Sequence, residues 1–196
     1  MASSEENIKY MTKLISNQMI SYDKINQLRH VLYLKDKAHT LALMKQHAQI
    51  MYPKFRCVLE MLEAEIEPLG IATWQKPKGG YFVSVNTVPG LAKRTLQLCK
   101  EAGVTMTGAG ATFPYGKDPQ DSNLRIAPSL PPVEELKAAA EVFCVCALLA
   151  AVEKRLEAHR AGRGAKYTRG RTPLELVYRE CCGTHSEALK REAKIK

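Results

Sequence analysis

Apolar residues Ile8, Met11, Leu14 and Ile15 recur at helical spacing behind Ser4 and Glu5, which predicts a helix over 5–17. In the next stretch Asn26-Gln27-Leu28-Arg29-His30 interrupts an otherwise helical pattern. A long helix follows, in which Leu41, Met44, Ala48, Met51, Phe55, Val58, Leu59 and Leu62 step by three and four, one apolar stripe of about seven turns. Pro53 lies inside that stripe, removes one backbone donor and is expected to bend the helix. Such a stripe fits either a core helix or a helix linking two lobes.

From Ile71 to Ser129 the pattern changes. Gly70, Trp74 and Pro77-Lys78-Gly79-Gly80 lead into Tyr81-Phe82-Val83-Ser84-Val85, a run of strand composition. A helix over 91–102 ends at Gly103, placed as a C′ glycine. Val104-Thr105-Met106-Thr107 predicts a short strand, and Asn123-Leu124-Arg125-Ile126-Ala127 a second, antiparallel to its neighbour. Pro131-Pro132 opens a last helix with Glu134 and Glu135 in its first turn, running to about Ala158 with Leu136, Ala140, Phe143, Ala147 and Leu148 facing in. The order predicts an α+β fold: a small sheet of about three strands with helices packed on one side and a long bent helix before it.

Length and charge sharpen this outline. At 196 residues the chain holds one domain plus an appendage, or two small ones. It has no run of about 18 apolar residues and no secretory leader pattern at its start, so a soluble, cytoplasmic protein is expected. The formal charge is +9, but residues 157–196 hold ten Lys/Arg against five Glu, more than half of the excess. The body is mildly basic, which argues against nucleic-acid binding by the whole chain. From Ala161 onward there is no apolar periodicity until Leu174 to Tyr178, and a disordered or loosely helical basic tail is expected. The six cysteines read as reduced structural thiols. Cys181-Cys182 with His185 has soft ligands but not the usual zinc spacing, so no metal site is assigned.

No catalytic constellation is complete. Gly108-Ala109-Gly110 is half a dinucleotide fingerprint without its third glycine or following helix, and the histidines at 30, 39, 47, 159 and 185 share no ligand spacing. Arg125 is the residue that invites chemistry. A guanidinium between Leu124 and Ile126 costs several kcal/mol to bury unpaired, and its planar fork matches a carboxylate. An edge-strand arginine facing solvent fits the same pattern.

Trp74-x-x-Pro77-x-Gly79-Gly80-Tyr81-Phe82, then Gly108-Ala109-Gly110-Ala111-Thr112-Phe113-Pro114-Tyr115-Gly116, then Asn123-Leu124-Arg125-Ile126-Ala127-Pro128-Ser129 stand in one order. The opening motif resembles the strand entry of the small domain in class I/II, fold-type I, pyridoxal-phosphate aminotransferases. The ordered series resembles a bacterial aspartate-type branch, and Asp23-Lys24-Ile25-Asn26-Gln27-Leu28-Arg29-His30-Val31 upstream fits the same branch. The resemblance covers about residues 3–155.

It implies a homodimeric enzyme moving an amino group between an amino acid and a 2-oxo acid through pyridoxal 5′-phosphate. It implies that Arg125 clamps the substrate α-carboxylate. Arg29 falls near the position from which dicarboxylate-specific members reach across the dimer to the distal carboxylate, with a structural loop arginine as the other reading. It divides the chain into an interface segment of the large domain (1–36), a linking helix (37–69), the small domain (70–158) and the basic tail (159–196). The family's Schiff-base lysine stands in a Ser-x-Ser-Lys context in the large domain, and Lys9, Lys13 and Lys24 do not resemble it. The expected protein is therefore the C-terminal half of a PLP-transferase fold: no catalytic residue is assigned, and stable cofactor binding by this chain alone is not expected. The alternatives are a remnant exposing the stripe on 41–62, or a binding module whose tail contacts RNA or an acidic partner. The tail departs from the family pattern and is read either as solvated sequence or as out-of-frame text.

Overall fold

The computed structural model describes residues 3–19 and 23–164, together with positions 175, 187, 190, 191 and 194. The described elements are helices α1 (Glu5–Gln18), α2 (Lys24–Leu34), α3 (Lys37–Glu65), α4 (Ala92–Glu101) and α5 (Val133–Arg160), with strands β1 (Ala72–Trp74), β2 (Val83–Thr87) and β3 (Asn123–Ile126). The chain divides into two compact units, Met1–Gln49 and Ile50–Lys196.

In the first unit α1 begins at Ser4, whose hydroxyl accepts from the Asn7 N–H at 3.3 Å. The interruption expected at Asn26–His30 does not occur. Asp23 caps α2 by accepting from the N–H groups of Ile25 (3.0 Å) and Asn26 (3.1 Å), and the helix continues through that stretch. No described residue of this unit is buried, and Ile25, Leu28, Val31, Leu32 and Tyr33 of α2 are exposed.

α3 runs unbroken through Pro53, and its stripe divides by depth. Leu41 and Met44 are exposed, whereas Val58 and Leu62 are fully buried with Phe55 and Leu59 packed against them. The expectation of one continuous core stripe is therefore met only by its C-terminal part. There Val58, Leu62 and Ile66 join Val83 and Val85 of β2, Leu124 of β3, Ala92 and Cys99 of α4, and Phe143, Cys144, Cys146 and Ala147 of α5 in one core.

The second unit carries an antiparallel sheet in the order β1-β2-β3. Its third strand is Ala72–Trp74 rather than the predicted Val104–Thr107. α4 closes in a Schellman motif, with Val104 N–H donating to Cys99 O (2.8 Å) and Gly103 N–H, at φ +88°, to Lys100 O (3.1 Å). That cap uses the N–H of Val104, and the next residues belong to no strand, although Val104–Thr107 and part of β3 line one cavity. Val83, Val85 and Thr87 of β2 face the core, while Ser84 and Asn86 face away.

Four described cysteines are free, of which Cys99, Cys144 and Cys146 are buried. Burial first, and the neighbouring Cys146 thiol second, push Cys99 up to about 12; burial pushes Cys144 up to about 12 as well. A raised thiol pKa stabilises the fold while the thiol stays protonated, and that contribution is lost as pH rises from about 9 toward 12.

Truncating Leu62 to Ala removes a side chain that is 1% exposed at the centre of this core. The unfolding free energy is expected to fall by about 2–5 kcal/mol in a urea titration. A loss below about 0.5 kcal/mol, the size of an ordinary surface substitution, would contradict the placement of α3 against the sheet.

Candidate carboxylate site

The β2–β3 register sets Ser84 opposite Arg125 and Val85 opposite Leu124. Successive strand side chains alternate, so Leu124 enters the core and Arg125 belongs to the outer face with Ser84, Asn86 and Asn123. The Arg125 guanidinium lies over the Phe82 ring, 4.3 Å from its centroid. Its Nε is buried and has no hydrogen-bond partner, and Arg125 makes no ion pair among the described residues. A half-buried, stacked and unpaired guanidinium is poised to receive an anion.

Asn123 organises the face around it. Its side-chain Nδ2 donates to Ser84 Oγ (3.0 Å) and Asn86 Oδ1 (2.7 Å), and its Oδ1 accepts from Thr112 Oγ1 (2.7 Å). Just upstream, the Asp118 carboxylate accepts from the N–H groups of Gln120 (2.9 Å), Ser122 (2.8 Å) and Asn123 (2.8 Å), closing the turn that enters β3. The loop ahead of it is tight: a Cβ added at Gly110 (φ +85°) would meet the carbonyl oxygen of Gly116.

A cavity of about 200 Å³ lies on the other side of β3, lined by Val58, Leu62, Val104, Met106, Leu136 and Phe143 among others. Arg125 borders it too, although strand alternation groups Arg125 with the residues of the opposite face. The polar sheet face that carries Ser84, Asn86 and Asn123 is opposite the apolar side of β3 that borders this cavity. Lys54 of α3 donates to the carbonyls of Ser129 (2.7 Å) and Leu130 (3.3 Å), tying the turn after β3 to the long helix.

Arg29 is exposed on α2, in the first unit, and makes no ion pair among the described residues. No group of His, Cys, Asp and Glu suited to a metal occurs among the described residues; Cys181, Cys182 and His185 lie outside them. No described helix is long and apolar enough to cross a membrane. None of the described lysines is buried; of the two half-buried ones, Lys54 is engaged with main-chain carbonyls and Lys154 stands against Gly90. Those lysines do not fit a pyridoxal-phosphate centre, which needs a sequestered amine to hold the aldehyde.

An antiparallel small domain behind a long helix, with a lone stacked arginine on its polar face, matches the aminotransferase class. Residues 1–159 match the aspartate aminotransferase family model, and the chain belongs to that family. It is 46% identical over 151 residues to an aspartate aminotransferase of Corynebacterium glutamicum, covering 77% of this chain and 35% of that protein. A crystal structure of an aspartate transaminase from the same organism superposes with a TM-score of 0.64 at 46% identity, over 78% of this chain and 36% of that one. The chain thus spans about a third of the length of these relatives.

Residues 150–196 match a second model, the GIY-YIG catalytic domain. Forty-five residues are 62% identical to a UPF0213 protein of Haloquadratum walsbyi, 23% of this chain and 51% of that one. An in-frame match of that quality overturns the reading of this stretch as out-of-frame text. Its expected disorder concerns positions that lie mostly outside the described residues. The two family matches overlap on residues 150–159, all inside α5, so one passes into the other within a continuous helix.

The main-chain bonds from Asn123 and Ser122 hold the Asp118 carboxyl below its ordinary 3.8. A depressed carboxyl contributes stability while ionised and loses it as pH falls below about 4. Asp118→Asn is expected to flatten the acid limb of the stability-versus-pH curve measured by urea titration. An unchanged acid limb would show that Asp118 does not hold this turn.

Proposed function

We propose that the aminotransferase segment of this chain is the carboxylate-recognising part of an aspartate-type aminotransferase. Arg125 takes the α-carboxylate of an amino acid or 2-oxo acid on the polar face of the sheet. The observation that carries this is the guanidinium held over Phe82, with a buried, unpartnered Nε and no ion pair, in a chain of this family. Phe82 occupies one flat side of the guanidinium, Nε is buried without a partner, and the guanidinium makes no ion pair among the described residues. The ordered turn at Asp118 and the Asn123 network fix the strand that presents it.

In this reading residues 1–36 form the segment that meets a second subunit, and 37–69 join it to the small domain at 70–158. Arg29 reaches toward the distal carboxylate of a dicarboxylic substrate bound by the neighbouring subunit. Transamination itself takes place in the complete homodimeric enzyme, where a large domain supplies the lysine and the pyridoxal phosphate. When bound there, that cofactor carries the amino group between the two acids. This chain's part is to orient the acid by its carboxylate.

Calorimetric titration of the full chain with L-aspartate is expected to show saturable binding. Arg125→Gln should weaken it about tenfold or more, the worth of a charge-assisted pair, while Arg125→Lys keeps part of it as a point charge. Equal affinity in Arg125→Gln and the parent would refute this assignment. Added pyridoxal phosphate should give no borohydride-sensitive Schiff-base band at a single lysine; a stoichiometric band would contradict the placement of the reactive lysine in a separate domain.

A further inference from the structure

Ser84 stands opposite Arg125 in the register and shares its face of the sheet. Its Oγ accepts from Asn123 Nδ2 at 3.0 Å. The same amide passes its other hydrogen to Asn86 Oδ1 (2.7 Å) and accepts from the Thr112 hydroxyl (2.7 Å). Asn123 is 8% exposed and has both amide hydrogens and its oxygen engaged, so it cannot turn without losing a bond. The donors run one way, from Thr112 to Asn123 to Ser84, and a chain of this kind polarises its last hydroxyl. That hydroxyl hydrogen has no acceptor among the described residues.

We propose that Ser84 is a second carboxylate-binding residue: its Oγ–H donates to the acid held by Arg125, and Asn123 is the positioning residue that aims it. This rests on the reading of Arg125 given above and extends it. Arg125 supplies the charge, and Ser84 supplies direction. The pairing across β2 and β3 sets their Cβ atoms about 4.5–5.5 Å apart, close enough for both to address one bound carboxylate. Nothing in the hydrophobic core calls for a hydroxyl at this position, since the core-facing residues of β2 are Val83, Val85 and Thr87.

The test is a titration of the full chain with L-aspartate, followed through the Nε–H resonance of Arg125 in nitrogen-15 spectra. Ser84→Ala is expected to weaken binding about tenfold, the loss of one hydrogen bond to a charged group, and Ser84→Thr to restore it within about threefold. A structural role alone would shift the unfolding midpoint without separating alanine from threonine in affinity. Parent-like affinity in Ser84→Ala overturns the proposal and leaves the Arg125 assignment standing. Equal weakening in Ser84→Ala and Ser84→Thr overturns it too, because the hydroxyl would then not be what binds. Failure of L-aspartate to move the Arg125 signal in the parent chain overturns the Arg125 assignment itself, and this inference with it.

Discussion

The register between β2 and β3 is the constraint on which the site depends. Val83, Val85 and Leu124 are each at most 1% exposed, and a one-residue slip would turn all of them to the outer face and drive Arg125 into the core. An unpaired guanidinium inside that apolar cluster costs several kcal/mol, so the same pattern that builds the core also sets the charge on the polar face. Asn123 and Asp118 fasten that register at the entry to β3. Phe82 and Ser84, two residues apart on the neighbouring strand side, then flank the guanidinium.

α5 carries two histories in one element. Its first part buries Leu136, Ala140, Phe143, Cys144, Cys146, Ala147 and Ala150, and it packs chiefly against α4. Residues 150–159, close to its end, belong to both family matches. A helix tolerates such a join because each turn is closed by bonds to the turn before it, and no strand partner has to be found. Within the second unit, Glu153 in the shared stretch still pairs with Arg94 of α4, Nε to Oε2 at 2.7 Å and Nη2 to Oε1 at 2.9 Å. The aminotransferase packing therefore extends into the region that resembles the GIY-YIG proteins.

Much of the fold was legible because helices and caps have local signatures: Ser4, Gly103 and the Pro131-Pro132 start fall where spacing put them. α2 was misread because Asn26 to His30 looks polar and interruptive, whereas the cap that starts the helix, Asp23, lies earlier. The third strand was misassigned because Val104–Thr107 has the composition of a strand but gives its first N–H to the end of α4. Ala72–Trp74, short and next to a glycine, finds its pairing only in three dimensions. Arg125 stood out as a charge among apolar neighbours. Asn123, Ser84 and Thr112 did not, since their meaning comes from a network spanning 39 residues of sequence. The alternation in Val83-Ser84-Val85-Asn86-Thr87 was the signal that separates the two faces. From Ala161 the GIY-YIG-like stretch has no apolar periodicity until Leu174, so hydrophobic patterning gives little sign of it.

The most direct measurement is the rate at which phenylglyoxal modifies Arg125 in the intact chain, read by peptide mapping, with exposed Arg155 as internal control. If Arg125 is a carboxylate receptor, L-aspartate slows its modification in a saturable way and leaves Arg155 unaffected. Protection that is absent, or that falls equally on both arginines, would contradict the account.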